Sequence, residues 1–551
     1  MSLHPQPVPP VPDDTARIAR AAFPHGNLYL VLRDAFGPLF ADDDFASLFP
    51  TRGQPAEAPW RLALVLVMQY VEDLSDRQAA DAVRSRIDWK YALSLELADP
   101  GFDSTVLSEF RTRLVMGAAE QRILDAILAK CQEHAWLKAR GRQRTDSTHV
   151  LAHVRAVNRL ECVGETLRHA LNRLATVAPA WLQRHCLPAW EERYGRRLDD
   201  TRLPTSQEDR QAYAQEVGAD GYALLSALYA PHAPVWLREE PAVETLRRVW
   251  VQQFYREADC VRWRTEREGI PPAGLFISSP YDPEARYAKK HTTSWVGYKV
   301  HVTETCEDEA PHVITHVETT TGPVSDGAVT PRIHEALAHT GLLPRTHIVD
   351  TGYLDAELLA TSQREYGVDL LGPTRPDYKW QAQAGQGFDV SHFPIDWEHH
   401  QATCPGGCTS SSWSPAVDEY GNEVVKIKFS RKDCQPCPHR VDCTRAQRRT
   451  ITVRCKEHYR ALQAARARET SAEYSIEYAK RAGIEGTLSQ GTRAYGLRRA
   501  RYIGEAKTHL QHVLIAAAIN VVRMSNWLLG KPLAKTRTSA FTKLIEHPIL
   551  C

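Results

Sequence analysis

Apolar residues recur at the spacing of amphipathic helices through the first quarter of the chain. Pro59 opens a run that is apolar almost all round, which predicts a buried helix. Ser75, with Gln78 three residues later, has the spacing of a capping box and predicts the start of the next helix. We therefore expect a helical domain over residues 26–140.

The residues before this domain lack the helical pattern. They carry several prolines between Pro5 and Pro12, which predict a flexible Pro-rich arm over residues 1–25 and no signal peptide. Within the helical domain, one polar helix face carries Ser108, Arg111 and Arg113. Such a face is typical of a helix-turn-helix-like DNA-binding domain, and equally of a plain helical bundle with solvated arginines.

Strand-like alternation, rich in Thr and Val, replaces the helical spacing at residue 142. Helical patterns return between these strands, and they dominate again after residue 456. Chains of this kind form mixed α/β folds. The strands are predicted at 142–150, Trp295–Glu304, His312–Thr320, Thr346–Asp350 and Val368–Leu371.

Two long stretches interrupt this predicted α/β core. The first is helical and rich in tryptophan, and the second is irregular and rich in cysteine. We expect both to be insertions, because neither continues the strand pattern. The predicted divisions are a core over 141–530, a helical insertion at 155–275, a Cys-rich insertion at 375–455 and a C-terminal tail at 531–551.

Composition narrows the class of protein. The chain has 551 residues, of which 43% are hydrophobic, so a large buried core is expected and wholesale disorder is excluded. No run approaches the roughly 18 apolar residues of a membrane helix, which predicts a cytoplasmic protein with no membrane partner. The net charge of +1 alone argues against a nucleic-acid-binding protein. Positive charge is nevertheless concentrated between Lys480 and Lys507, a stretch that contains seven Lys and Arg residues and only two acids.

Two aspartates stand in strand-like segments. Asp146 lies within the first predicted strand, where acids are depleted, so it is either an ordinary edge residue or functional. Asp350 ends a short strand before a Gly-containing turn, the edge at which α/β sheets bind ligands. The alternative role for Asp350 is the N-cap of a helix near Asp355–Ala360.

A third acid, Glu485, shares a predicted helix face with Tyr478 and Arg481. An exposed Arg/Glu pair is the usual alternative, but Arg four residues before Glu is the weaker orientation, and Gly483 disfavours the helix. Three carboxylates beside a basic tract predict a site for divalent metal and phosphate, with Mg²⁺ as the preferred ion. Glu477, Asp355 and Glu505 are rival carboxylates.

The segments around these acids, Thr145–Thr148, Val349–Tyr353 and Tyr478–Glu485, resemble the Asp, Asp and Glu blocks of DDE transposases of bacterial insertion sequences. The Tyr-Arg-Glu spacing is similar to that of the IS-four/IS-five superfamily. The Cys-rich insertion and the stretch Tyr495–Tyr502 resemble its IS-eleven-eighty-two-like branch. Where the family signature continues to a Lys, this chain has Thr492, followed by Arg493.

The resemblance implies an RNase H-like core with Asp146, Asp350 and Glu485 as catalytic ligands of Mg²⁺ or Mn²⁺. It implies cut-and-paste transposition, in which cleaved element ends attack target DNA through their 3′-hydroxyls. The implied partners are terminal inverted repeats, target DNA and a second copy of the chain in a homodimer. It also implies nucleoid association of the cytoplasmic protein when it binds DNA. Residues in and beside the third block are predicted DNA contacts, with a solvated helix face as the alternative: Tyr478, Arg481, Arg493, Arg498, Arg499, Arg501 and Lys507.

Five cysteines are clustered within 40 residues of the second insertion. In a reducing compartment such a cluster indicates metal binding rather than disulfide bonds. A structural Zn²⁺ site uses four such ligands, so one thiol is in excess, and nearby His439 leaves the set open. Structural thiols without metal are the alternative. The candidates are Cys404, Cys408, Cys434, Cys437 and Cys443.

Two other functions are compatible with some of these features. A non-catalytic, zinc-stabilised DNA-binding protein derived from a transposase needs only the cysteines and the basic tract. A glycosidase needs a pair of acids about 5–9.5 Å apart, but no aromatic-lined acid pair is evident. His149, His153 and His301 are further candidates near the metal site, although lone histidines are more often packing or surface residues.

Overall fold

The computed structural model describes residues 1–155, 157–199, 203–258, 260–383 and 387–531. The predicted C-terminal tail, apart from Lys531, lies outside these residues. The predicted helical domain is confirmed as helical, including the helix at Pro59 and the Ser75–Gln78 capping box. Its helices are α1 (Asp13–Ala22), α2 (Leu28–Phe36), α3 (Pro59–Val71), α4 (Asp76–Ser85), α5 (Ile87–Ala92), α6 (Thr105–Met116) and α7 (Gln121–Glu133).

The predicted flexible arm is wrong for most of its length, because residues 1–25 contain α1 and are docked on the following helices. The Ser2 backbone N–H donates to the Gln54 carbonyl (2.7 Å) and Leu3 is buried. In α1, the Thr15 hydroxyl is buried and donates to the Leu95 carbonyl (2.8 Å). Side-chain and backbone hydrogen bonds therefore fix a segment that its proline content alone predicted to be flexible.

The chain then forms β1 (Arg142–Leu151) and enters the predicted helical insertion. The insertion has its own cluster of buried residues, which includes Trp190, Trp250 and Phe254. Trp190 and Trp250 therefore pack as core, whereas 48% of Trp236 is exposed. Its elements are α8 (Arg159–Val177), α9 (Pro179–His185), α10 (Ala189–Tyr194), α11 (Gln207–Leu228), α12 (Pro241–Gln253), β2 (Phe254–Glu257) and β3 (Cys260–Trp263).

The remaining strands of the main sheet follow the insertion. They are β4 (Arg286–Lys290), β5 (Thr293–Thr305), β6 (Ile314–Thr321), β7 (Thr346–Ile348) and β8 (Asp369–Leu371), with α13 (Thr330–His339) and α14 (Ala356–Tyr366) between them. The sheet order is β4-β5-β1-β7-β8, with β6 also paired to β5. β1 is antiparallel to β5 and parallel to β7, and β7 is parallel to β8. All the strands predicted from alternation are confirmed within a few residues.

The Cys-rich segment is more regular than its sequence pattern predicts, and it has a buried core of its own. Phe393, Ile427, Phe429 and Ile451 lie in a cluster of buried residues beneath an antiparallel sheet of order β11-β12-β13. The elements are α15 (Trp380–Gln383), β9 (Ile395–Asp396), β10 (Gln401–Ala402), β11 (Ser412–Val417), β12 (Glu423–Lys428), α16 (Arg431–Cys434), α17 (Arg440–Cys443) and β13 (Thr450–Arg454).

Four helices complete the described chain: α18 (Lys456–Glu469), α19 (Ala472–Ala479), α20 (Ala482–Ala494) and α21 (Glu505–Leu528). The predicted helix that carries Tyr478, Arg481 and Glu485 is divided at Lys480–Arg481 into α19 and α20. α21 is buried along most of its length and lies in one hydrophobic cluster with α3, α7 and strands β5 and β6. The N-terminal helices are therefore continuous with the core of the main sheet. In the described part of the chain, no helix is long and apolar enough to cross a membrane.

Candidate active site

Asp146 lies in the middle of β1, the strand at the centre of the main sheet, opposite Val302 of β5. Its side chain is largely buried, and the Ser147 backbone N–H donates to Oδ1 (2.8 Å). Burial raises the pKa of Asp146, while the nearby Arg481 guanidinium opposes the rise. Asp146 is thus a central, inward acid and not the edge residue of the alternative interpretation.

Asp350 follows β7, the parallel neighbour of β1, at the carboxyl end of the strand. Its Oδ1 accepts a hydrogen bond from the Gly352 backbone N–H (2.8 Å), which orders the turn. The cap of α14 is Asp355, whose carboxylate accepts from the Glu357 and Leu358 N–H groups. The proposed alternative role of Asp350 as that cap is therefore wrong, and its second oxygen is turned toward Asp146's partner, Arg481.

Glu485 lies in the first turn of α20, and 65% of its side chain is exposed. Arg481 precedes α20, and its Nη1 donates to Glu485 Oε1 (3.1 Å). The shared face predicted for the two residues is therefore present, although the helix is interrupted just before them.

Arg481 joins the three predicted carboxylates. Its Nη2 lies 2.8 Å from Asp146 Oδ2 and 4.0 Å from Asp350 Oδ2, while Nη1 binds Glu485. Only 17% of the Arg481 side chain is exposed. Segments separated by up to 335 residues are thus brought to one guanidinium, and the mutual repulsion of their carboxylates is offset by this cation.

A buried ion-pair network fixes α20 against the sheet. Glu304 of β5 is fully buried and pairs with Arg144 of β1 (2.6 Å) and with Arg523 of α21 (2.8 Å). The Thr487 hydroxyl of α20 donates to the same carboxylate (2.6 Å). Because Arg144 is two residues from Asp146 and Thr487 is two residues from Glu485, this network sets the distance between those acids.

Tyr478 stacks face to face on Tyr474, with ring centroids 5.6 Å apart and an interplanar angle of 7°. Both rings belong to α19, where residues four apart share a face. Tyr478 remains partly exposed beside Arg481 and presents an aromatic surface at the edge of the acidic site.

Sequence reasoning missed a fourth carboxylate, Asp326, next to the site. It accepts from the Lys299 ammonium (2.9 Å), and Lys290 lies 3.8 Å from its other oxygen. Burial acts to raise the pKa of Asp326, but Lys299 holds it below its usual value. A Cβ at Gly352 would lie 3.1 Å from Asp326 and 3.0 Å from Asp350, so this glycine separates two carboxylates.

The histidine candidates have packing roles. His301 is buried, its Nδ1 lies 2.6 Å from the Tyr353 hydroxyl, and burial lowers its pKa to about 4. His149 packs beside Trp295, with ring centroids 5.4 Å apart. The structure records no contact between His153 and any of the three acids. None of these histidines adds a ligand to the acidic site.

The rival carboxylates lie in other environments. Glu477 pairs with Arg142 (3.1 Å), Asp355 caps α14, and Glu505 begins α21 beside Glu284. Of the acids singled out from the sequence, those that converge on Arg481 are Asp146, Asp350 and Glu485.

The predicted DNA contacts fall into two groups. Arg493, Arg499 and Lys507 are exposed, and so is Arg498, whose Nε donates to the Thr148 hydroxyl (2.7 Å). Arg501 is instead engaged within the protein: it lies over the Tyr70 ring (4.6 Å) and donates to the Leu74 carbonyl. Its guanidinium is therefore not free in this structure, and its role as a DNA contact stays a prediction.

The predicted DNA-reading face of α6 is also altered by packing. Arg111 is buried, pairs with Asp76 and lies over the Tyr502 ring (5.2 Å). Arg113 donates to the Leu48 carbonyl (3.3 Å) and lies over Phe49. These arginines attach the helices to neighbouring segments, so this face of α6 is engaged in contacts within the protein.

The five clustered cysteines line one pocket together with His439. The Cys408 N–H donates to Cys404 Sγ (3.3 Å), the Arg449 N–H donates to Cys434 Sγ (3.5 Å), and Cys404 raises the pKa of Cys408. Across the described residues, however, no group of three or more His, Cys, Asp or Glu side chains is arranged to hold a metal ion. This applies to the thiols and to the carboxylates around Arg481.

Two family models match separate parts of the chain. Residues 403–525, which include Arg481 and Glu485, match the family model described as Transposase DDE domain. Residues 17–113 match the family described as Transposase domain (DUF772). No curated protein and no solved structure matches the chain. The two family matches support an insertion-sequence transposase, and they do not identify the branch.

Proposed function

We propose that the protein is a DDE transposase that cleaves and joins DNA in cut-and-paste transposition of an insertion sequence. The observation that carries the proposal is the convergence of Asp146, Asp350 and Glu485 on Arg481 within a chain that matches transposase families. The branch expected from the sequence, IS-eleven-eighty-two-like, is part of the same proposal.

We propose an RNase H-like core for the main sheet. Its support is the order β6-β5-β1-β7-β8, in which β5 is antiparallel to both β6 and β1, and β7 and β8 run parallel to β1. The short strand β4 pairs with β5 in addition. Asp146 is on the first strand, Asp350 follows β7, which is the fourth strand when β4 is left out, and Glu485 is on a later helix. This is the distribution that the family resemblance implies.

The carboxylate oxygens of the triad are the hard ligands that Mg²⁺ or Mn²⁺ prefers, and they already surround a cation, the Arg481 guanidinium. Divalent ions held by these residues would activate the attacking oxygen and stabilise the leaving one. In this proposal Arg481 contacts a phosphate of the strand beside the acids, and the partly exposed Tyr478 ring stacks on a base. Arg493, Arg498, Arg499 and Lys507 extend this positive surface.

Zn²⁺ is proposed as a structural ion in the Cys-rich segment, held by four of the five thiols. The support is the convergence of all five on one pocket and the N–H···S bonds to Cys404 and Cys434, which favour thiolate over thiol. Since the segment has a buried cluster of its own, the ion would brace one end of it and would not substitute for a core.

The proposed partners are terminal inverted repeats, target DNA and a second copy of the chain on paired ends, and the proposed location is the bacterial cytoplasm, at the nucleoid when DNA is bound. The test is a plasmid carrying a marker between the inverted repeats that flank the coding region. Purified protein with Mg²⁺ should release the marker and join it to a second plasmid. Binding without strand scission in Mg²⁺ or Mn²⁺ would instead indicate the non-catalytic DNA-binding protein.

A further inference from the structure

Lys290 occupies the tip of a hairpin beside the acidic site. It is the last residue of β4 and pairs with Thr293 of β5, so the turn consists of His291 and Thr292. His291 has a φ of +54°, in the left-handed region, which makes this a tight reversal. The backbone on both sides of the turn is held by the sheet, so the position of Lys290 is well defined.

The Lys290 ammonium is close to the site, and its charge is only weakly paired with a carboxylate. Asp326, its nearest carboxylate, already binds Lys299 at 2.9 Å, and both of those side chains are 11% exposed. Lys290 lies farther away, at 3.8 Å, with 51% of its side chain exposed. A pair of this kind contributes little to folding, so the charge remains available to a ligand.

The Lys290–Asp326 pair lies beside the triad. Asp326 and Asp350 flank Gly352, which brings the Lys290–Asp326 pair to the immediate neighbourhood of Asp350. A phosphodiester approaching these carboxylates is repelled by them, so cations at the mouth of the site are needed to admit it.

Arg498 is a second cation near Asp146. Its Nε binds Thr148, two residues along β1 and so roughly 7 Å from Asp146. Backbone hydrogen bonds hold this segment beside the end of β1, since the Leu151 N–H donates to the Arg498 carbonyl (2.8 Å) and the Ala500 N–H donates to the Leu151 carbonyl (2.9 Å). Lys290 and Arg498 therefore lie on different elements around the same acids.

We propose that Lys290 binds a backbone phosphate of the DNA strand at the triad, separate from the phosphates contacted by Arg498. Position 492 does not supply this contact, because the Thr492 hydroxyl is bound to the Leu488 carbonyl (2.7 Å). Arg493 is rotated by about 100° around α20 from position 492, away from the face of Glu485. The proposal rests on the proposed function, since it requires DNA at this site.

The experiment measures binding of terminal-repeat duplexes by wild-type protein, Lys290→Ala and Lys290→Arg, in Ca²⁺ to prevent cleavage. Duplexes with a single uncharged methylphosphonate at successive positions around the cleavage site identify the contacted phosphate. Lys289→Ala is the matched control, because Lys289 is the adjacent exposed residue of β4. One methylphosphonate should weaken wild-type and Lys290→Arg binding roughly 10-fold yet leave Lys290→Ala binding unchanged.

Lys290→Ala should also reduce the slope of log Kd against log salt by about one, whereas Lys289→Ala should not. The Lys290 proposal is overturned if no phosphate position distinguishes Lys290→Ala from Lys289→Ala. The proposed function is judged separately, by cleavage of unmodified duplex by wild-type protein in Mg²⁺. If wild-type protein cleaves the duplex but Lys290→Ala and Lys289→Ala bind it alike, the proposed transposase function stands. In that case Lys290 is not one of its DNA contacts.

Discussion

The Arg144 guanidinium packs directly against Gly483 at the start of α20, and a Cβ at position 483 would overlap it. In this place Arg144 pairs with the buried Glu304 and donates to the Lys480 carbonyl (2.5 Å). A glycine that weakens the helix is thus required for the contact between α20, which carries Glu485, and the strand that carries Asp146. Gly483 is a packing requirement of the acidic site.

Gly483→Ala should therefore destabilise the protein by about 1–3 kcal/mol, because the added methyl forces Arg144 or α20 to move. Urea unfolding followed by circular dichroism measures the change. Gly486→Ala is the control: it lies in the same helix with nothing within 4 Å of the added Cβ, and it should be neutral or stabilising by up to ~1 kcal/mol. Equal effects of the two substitutions would contradict this account of Gly483.

Glu304→Gln should be more damaging, at about 3–5 kcal/mol, since it leaves the Arg144 and Arg523 charges buried without their shared carboxylate. Glu457→Gln serves as the comparison, because its pair with Arg364 is about half exposed on both sides and is worth less than about 1 kcal/mol. A Tm loss for Glu304→Gln no larger than that for Glu457→Gln would show that the network does not hold α20.

Local pattern predicted the strands and the acids on them well, because alternation and strand-end position are properties of neighbouring residues. The Arg481–Glu485 contact followed from spacing for the same reason. Asp326 was missed because its significance depends on Lys299 in another strand and on the fold that brings both beside Asp350.

The availability of basic residues was predicted poorly. Arg111 and Arg501 carry the charge expected of DNA contacts, but each is bound to an acid and lies over a tyrosine from a distant segment. The docked N-terminus was missed in the same way, since Thr15 is bound to Leu95. Composition gives the number of charges and prolines. Whether an arginine is free or a segment is flexible depends on contacts with residues that are distant in sequence.

Acidification should destabilise the fold through buried histidines. Burial lowers the pKa of His301, His334 and His509 to about 4 and that of His512 to about 3, from 6.5. The unfolded chain then binds more protons below pH 6.5, so the free energy of unfolding falls as pH drops from about 6.5 toward 4. Each histidine contributes roughly 1.4 kcal/mol per pH unit to this slope.

Urea titrations at pH 7, 6 and 5 measure that slope. His334→Gln should reduce it by about one histidine's share, while the same substitution of the exposed His25 should leave it unchanged. A slope that is insensitive to His334 would contradict a lowered pKa for this residue in the folded protein.

Cleavage should depend on the ionisation of Asp146. Burial raises the pKa of this carboxyl and Arg481 acts against the rise, so activity is lost as pH falls through a pKa that Arg481 keeps lower. Arg481→Gln should shift the acidic limb of the pH–rate profile to higher pH, in addition to reducing the rate. Arg493→Gln, on the exposed side of α20, should leave the limb in place. An unshifted limb in Arg481→Gln would exclude this coupling.

The central claim is that Asp146, Asp350 and Glu485 form one metal-dependent DNA-cleaving site. The most direct measurement is the rate of strand cleavage of terminal-repeat DNA in Mg²⁺ by Asp146→Asn, Asp350→Asn and Glu485→Gln, with DNA binding measured on the same preparations and Glu477→Gln as the control. The account predicts that each triad variant binds DNA but cleaves at least about 1,000-fold more slowly, a loss of roughly 4 kcal/mol of transition-state stabilisation, while Glu477→Gln retains activity. Cleavage at the wild-type rate by any one of the triad variants would contradict it.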